Sequence, residues 1–289
     1  MVQTEDWAET SEGFRLYLVQ IGSSGETVRT YVAYGALAWR WFAARDLSLL
    51  FAERRQLVTF RLAMEHSHTK NTVRNWVCAL RAFFRFCIVE GWRADNPTEG
   101  ISIRKPKQQP RQPLSPDEVR ELYLGATAAV DQLMVALLAG TGIRIGELIR
   151  IKVSDIDWRR EVIVVHGKGN KERYVALTPF LVGLLHSYTQ GRPGGPLLLT
   201  NDGRGMSRER ARKRLALVGE RVGVPHVYPH RFRITFITEM LQAGADIGAV
   251  QVMAGHSQIE QTVHYAGFTA ATRALDLARR YNPADRLVR

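Results

Sequence analysis

Cysteine is scarce, with two in 289 residues, Cys78 and Cys87. Nine residues of helix turn the chain by about half a revolution, so these thiols fall on opposite faces and no disulfide between them is expected. A chain without a disulfide framework belongs by default in a reducing, cytoplasmic compartment. Long apolar runs are also missing, and nothing approaches the roughly 20 residues needed to span a bilayer. The opening Met1-Val-Gln-Thr-Glu-Asp6 lacks the basic and apolar stretches of a secretory leader. Acidic residues are in deficit: 28 Asp and Glu stand against 40 Lys and Arg, for a formal net charge of +12. The deficit runs through the whole chain, with 16 cations to 11 anions before residue 112 and 24 to 17 after it. That distribution excludes a neutral protein with a basic tail and points to a polyanion, DNA or RNA, contacted by both halves. Internal repeats and low-complexity segments are absent as well.

What the chain does contain is helical periodicity. At 289 residues two domains are expected. Residues 1–100 read as helical, with helices over 27–44, 51–65 and 71–90. The last of these carries Val73, Trp76, Val77, Leu80, Phe83, Phe84, Cys87 and Ile88 on one face. Arg74, Arg81 and Arg85 line the other, and with Lys70 they are candidates for phosphate contacts. Tyr31, Tyr34, Trp39, Trp41 and Phe42 read as core rather than as a stacking platform for bases. Residues 101–112 form a basic, proline-rich linker in which Arg104, Lys105 and Lys107 could follow a nucleic-acid backbone.

Residues 113–289 form the second domain. Ser115, Pro116 and Glu118 make a helix start with a capping box. Another apolar helix covers 130–139. Residues 161–166 and 173–177 are rich in β-branched side chains and read as two strands joined by the turn Gly167-Lys-Gly-Asn-Lys171. Further helices are expected over 179–188, 207–222 and 269–281. In the 207–222 helix, Ala211, Leu215, Val218 and Val222 point inward, while Arg210, Lys213, Arg214 and Arg221 form a basic face suited to a DNA groove. The fold class is therefore mainly α, with a small β-hairpin or sheet.

The chemistry-bearing stretch runs from Tyr228 to Tyr265. Pro229 opens a helix that places His230 and Arg233 on one face, at i and i+3. Gly244 closes that helix, and Asp246 caps the next, which ends near Gly255-His256. Upstream, Arg144 lies in Thr141-Gly-Ile-Arg-Ile-Gly-Glu147-Leu148, and Lys168 lies on the turn between the strands. Each of these side chains can hold or attack a phosphate. No carboxylates cluster with the histidines, so neither a metal nor another cofactor is expected. A phosphoryl-transfer site with a tyrosine nucleophile is the reading, with Tyr228 and Tyr281 as competitors to Tyr265 and Lys171 as a competitor to Lys168.

Arg144, Lys168, His230-x-x-Arg233, Gly255-His256 and Tyr265, in that order, resemble the tyrosine recombinases, the phage integrase family, and among them the simpler Xer-type members. The resemblance spans the chain if residues 1–100 are the family's SAM-like core-binding domain and 113–289 its catalytic domain. It implies that Tyr265 attacks a DNA phosphodiester to form a 3′-phosphotyrosyl link, without ATP. Arg144 and Arg233 then grip the non-bridging oxygens, and Lys168 protonates the leaving 5′-oxygen. His230 serves as acid and base, His256 hydrogen-bonds the phosphate, and Glu147 orients its neighbours. The partners implied are double-stranded DNA sites and a homotetramer bridging two of them, assembled from monomers or dimers, with the 269–281 helix packed on a neighbouring protomer. The chain departs from the usual pattern in carrying Ile234 after the second arginine and Ala254 before Gly-His. Three other readings compete: a metal nuclease built on Asp155 and Asp157, a non-catalytic DNA-binding regulator, and a type IB topoisomerase that relaxes supercoils.

Overall fold

The computed structural model describes residues 6–101, 112–167 and 172–255. The expectations for Arg104, Lys105, Lys107, Lys168, His256, Tyr265 and the 269–281 helix lie outside those residues. The chain divides into two compact units, Met1–Gln109 and Pro110–Arg289.

The first unit holds four helices: α1 (Trp7–Gln20), α2 (Gly25–Ala43), α3 (Arg54–Glu65) and α4 (Lys70–Val89). Asp6, Ser24 and Thr69 cap α1, α2 and α4 with side-chain oxygens that accept backbone N–H bonds, each replacing a hydrogen bond the first turn cannot make internally. Helix α4 packs against each of the other three. It therefore buries Ala79 and Phe86 in addition to the expected stripe, whereas Ile88, expected inside, is exposed. The core is aromatic. Phe14 meets Phe83 edge-on at 5.4 Å between ring centroids, and Trp41 meets Phe60 at 5.2 Å. Phe42 is fully buried, while Tyr31, Tyr34, Trp39 and Trp41 pack at the margin of the core. Cys78 and Cys87 are both free thiols, and burial pushes the Cys87 thiol up to about 12.

The second unit is built around α6 (Ala129–Thr141), which is mostly apolar and buries nine of its residues, Asp131 among them. Helices α5 (Pro116–Gly125), α8 (Pro179–Thr189), α9 (Arg208–Val222) and α10 (Pro229–Gln242) all pack on it. The capping box at Ser115 and Glu118 is present as expected. Between α6 and α8 come the short helix α7 (Ile145–Leu148) and a three-stranded antiparallel sheet. Its strands are β1 (Ile156–Asp157), β2 (Val162–His166) and β3 (Glu172–Ala176), in the order β1-β2-β3. The hairpin β2–β3 matches the two expected strands, and the two-residue β1 is an addition to it. Cross-strand partners Ile163↔Val175 and Val165↔Arg173 share the face turned to the core. The last described helix, α11 (Ile247–Ala254), docks on α10 through Ile237, Leu241, Val250 and Ala254.

One expected surface cation is an internal staple instead. Arg214 faces the core side of α9, and its Nε and Nη2 donate to the two oxygens of Asp131 at 2.6 and 2.8 Å. Asp131 is a buried carboxylate on α6, so the pair locks α9 to the central helix rather than facing a groove. Arg221 likewise donates to the carbonyl of Gly125 and to Thr127. Removing the carboxylate in Asp131→Ala leaves a half-buried guanidinium without its counter-charge, with an expected loss of about 3 kcal/mol. Lys213→Ala breaks only an exposed 3.0 Å pair with Glu209 and should cost less than about 0.5 kcal/mol. Urea midpoints at constant slope measure both, and equal shifts would contradict the internal role of Arg214.

Candidate active site

Helix α6 stops at Gly142, whose φ of +61° is left-handed. A side chain there would stand 2.4 Å from Phe236 Cδ1, so both conformation and space require glycine. The reversal throws Arg144 to the N-cap of α7. Its backbone N–H donates to Glu147 Oε2 at 3.0 Å, and its own Nη1 donates to Oε1 at 3.0 Å. On α10, Pro229 occupies the first turn, where its missing N–H is not needed. His230 follows on the exposed side, and Arg233, one turn along, is only 2% exposed. Helix α11 starts at Asp246, which accepts from the N–H groups of Gly248 and Ala249, and ends at Gly255 with φ +64°.

These elements meet at the C-terminus of α11. The last carbonyls of a helix have no partner within it and carry the negative end of its dipole. Here three successive ones each accept from a different arginine. Arg173 Nε donates to Met253 O at 3.3 Å, Arg233 Nη2 to Ala254 O at 2.6 Å and Arg144 Nη2 to Gly255 O at 2.9 Å. Arg233 Nη1 also donates to Gly142 O at 2.8 Å, which joins the end of α6 to the end of α11. The next residue in the sequence is His256.

Glu147, 7% exposed, is the anion at the centre of this cluster. Besides Arg144 it accepts from Arg173 Nη1 at 3.1 Å and Nη2 at 2.8 Å. Burial alone would raise its carboxyl. The hydrogen bonds and charge of Arg173, with those of Arg144, outweigh burial and hold it below the usual carboxylate range. Arg144 and Glu147 were expected in the site. Arg173 was not, since it was read only as part of a strand. The signal was its parity: strand alternation puts residue 173 on the same face as Val175, and a cation on a buried face needs a built partner.

The remaining candidates sit as follows. Lys70 and Arg85 on α4 are exposed, and Arg74 and Arg81 are half-buried. Arg210 and Lys213 on α9 are exposed, and each is paired with a surface carboxylate. Asp155 and Asp157 close turns by accepting from the N–H groups of Lys152 and of Arg159 and Arg160. Among the described residues no group of three or more His, Cys, Asp or Glu is placed to hold a metal ion. A cavity of about 120 Å3 between Glu147, Asp155 and His166 is large enough for a few waters.

Residues 112–271 match the family model described as the phage integrase family. The chain belongs to the phage integrase family. Over 272 residues it is 33% identical to tyrosine recombinase XerA of Thermococcus kodakarensis, covering 90% of this chain and 91% of that protein. Over 222 residues it is 32% identical to tyrosine recombinase XerC of Bacillus pumilus, covering 70% and 72%. Among solved structures, XerH recombinase bound to a palindromic difH substrate matches with a TM-score of 0.72 at 20% identity, over 87% of this chain and 79% of that one. A lambda integrase dimer on a core site matches with a TM-score of 0.71 at 17% identity, over 87% and 95%. At these identities the two structures establish a shared fold.

Because the folded Glu147 carboxyl sits below the usual value of about 4.3 for glutamate, the unfolded chain binds the extra proton first as pH falls. Its contribution to stability is complete above that ordinary value and is lost as pH drops through the folded one. Glu147→Gln should therefore lower the melting temperature at pH 7 and flatten its decline as the pH falls below the ordinary glutamate value. An unchanged acid limb in the variant would show that Glu147 is not held by its arginines.

Proposed function

We propose that this chain is a site-specific DNA recombinase that cuts and rejoins strands through a phosphotyrosyl intermediate. The observation that carries the reading is the convergence of Arg144 and Arg233, from α7 and α10, on adjacent carbonyls at the end of α11. They lie 89 positions apart in the sequence and are drawn together one residue before His256, within a chain of this family. A guanidinium fork matches two phosphate oxygens, and Arg233, almost wholly withdrawn from water, is weakly screened. Arg144 and Arg233 would hold the non-bridging oxygens and stabilise the added charge of the pentacovalent transition state.

In this reading Tyr265 Oη attacks phosphorus, a 3′-phosphotyrosine forms and the bond to the 5′-oxygen breaks. Lys168 delivers the proton that the leaving oxygen needs, His230 exchanges the tyrosine proton, and His256 donates to the phosphate. The 5′-hydroxyl of a partner strand reverses the step and joins new strands. Because the phosphodiester energy is stored in the covalent link, no nucleotide is consumed. Residues 1–100 serve as the core-binding domain, with Lys70, Arg74, Arg81 and Arg85 on its DNA side and the 101–112 linker along the duplex. The working assembly is a tetramer on two DNA sites.

A nicked suicide duplex, which loses its 5′-hydroxyl fragment after cleavage, traps the intermediate. Wild-type protein should form a covalent adduct in excess EDTA. Tyr265→Phe should bind the duplex with unchanged affinity and form none. An adduct that persists in Tyr265→Phe would reassign the nucleophile, and one abolished by EDTA would favour metal-dependent chemistry. Exchanged strands rather than relaxed circles as the product separate recombination from topoisomerase activity.

A further inference from the structure

Arg144 alone is an awkward phosphate ligand. Its Nη1 is 3.0 Å from Glu147 Oε1 and its backbone N–H is 3.0 Å from Oε2. An arginine neutralised by its own neighbour offers little net attraction to an anion. The structure supplies the missing charge. Arg173, whose side chain is 13% exposed, donates to both oxygens of the same carboxylate. The local sum is then two guanidiniums to one carboxylate, which leaves one net positive charge.

We propose that Arg173 is a positioning residue for Arg144, acting through Glu147. It takes up the carboxylate's negative charge and fixes its plane, so that the Arg144 guanidinium stays aimed and electrostatically available to the phosphate. Three further observations fit this role. Arg173 sits on the buried face of β3 beside Val175, where a cation is costly unless it has built partners. Its Nε is anchored on Met253 O, two carbonyls from the one that holds Arg144. Gly255 leaves room for it, since a Cβ there would stand 3.0 Å from the guanidinium carbon.

The inference rests on Arg144 binding a non-bridging oxygen of the scissile phosphate. That dependence dictates the experiment. Cleavage of a suicide duplex by the full chain is timed on a normal phosphate and on a methylphosphonate, in which one charged oxygen is replaced by a neutral methyl group. Losing that charge lowers the demand for cationic neutralisation, so Arg144→Ala should be impaired about 100-fold or more on phosphate and by less than about 10-fold on methylphosphonate. Arg173→Ala should show the same relief, and the double variant should be no slower on phosphate than Arg144→Ala alone, as expected of residues acting in one chain of contacts. Arg173→Lys keeps a charge but cannot bridge both oxygens and Met253 O, so it should fall between wild type and Arg173→Ala. It also serves as the test protein should the alanine variant fail to fold.

Relief for Arg144→Ala without relief for either Arg173 variant, or additive losses in the double variant, would overturn the positioning role. A defect in Arg144→Ala that the methylphosphonate leaves untouched would instead overturn the phosphate-binding role of Arg144 itself.

Discussion

The organisation of the second unit depends on an electrostatic problem at the end of one helix. Helix α11 finishes with carbonyls that its own turns cannot satisfy, and Arg173, Arg233 and Arg144 satisfy residues 253, 254 and 255 in turn. Three cations so close together repel one another. The negative helix end and the Glu147 carboxylate offset that repulsion without cancelling it, because each is shared among several donors. Backbone acceptors make good anchors: they cannot rotate away, and their positions are set by the whole helix rather than by a flexible stem. The arginines are thereby oriented before any anion arrives, which is the condition under which charge stabilisation is most effective in catalysis.

Much of this was legible in the amino-acid sequence, and the parts that were not have a common cause. Capping at Ser115 and Asp246, the proline in the first turn at residue 229, and the glycine stop at residue 255 depend on side-chain types at short spacing, so these ends of α5, α10 and α11 could be read directly. Arg144, Glu147 and Arg233 stood out through their local motifs. What could not be read was what they hold, because a carbonyl acceptor belongs to every residue and leaves no mark in the sequence. Arg214 was misread for a related reason. Its partner Asp131 lies 83 residues away, and periodicity on α9 says which face is basic without saying what that face meets. Helix α1 was not resolved as a separate element, because its exposed Leu16 and Val19 blur the apolar stripe. The two-residue β1 is too short for any alternation to appear.

The net charge of +12 also reads differently with the fold in view. Several arginines are internal fasteners. Arg93 donates to the carbonyls of Leu50 and Ala52, Arg214 holds Asp131, and Arg231 gathers the carbonyls of Gln112, Pro113 and Pro225 together with Glu118. A guanidinium is suited to this work because it can tie several acceptors at once. Formal charge therefore overstates the cationic surface a polyanion would meet. The exposed part of the excess includes Lys70 and Arg85 on α4, which reach solvent.

The bonds that close the cluster join residues far apart along the chain: Arg144 and Gly255 are separated by 111 positions, and Arg233 and Gly142 by 91. Synthesis on the ribosome runs from the N-terminus, so helices α1 to α4 can fold while the acceptors for these arginines do not yet exist. A growing chain can thus acquire its first unit early, yet it cannot complete the cluster at the end of α11 until residues 253 to 255 have been made.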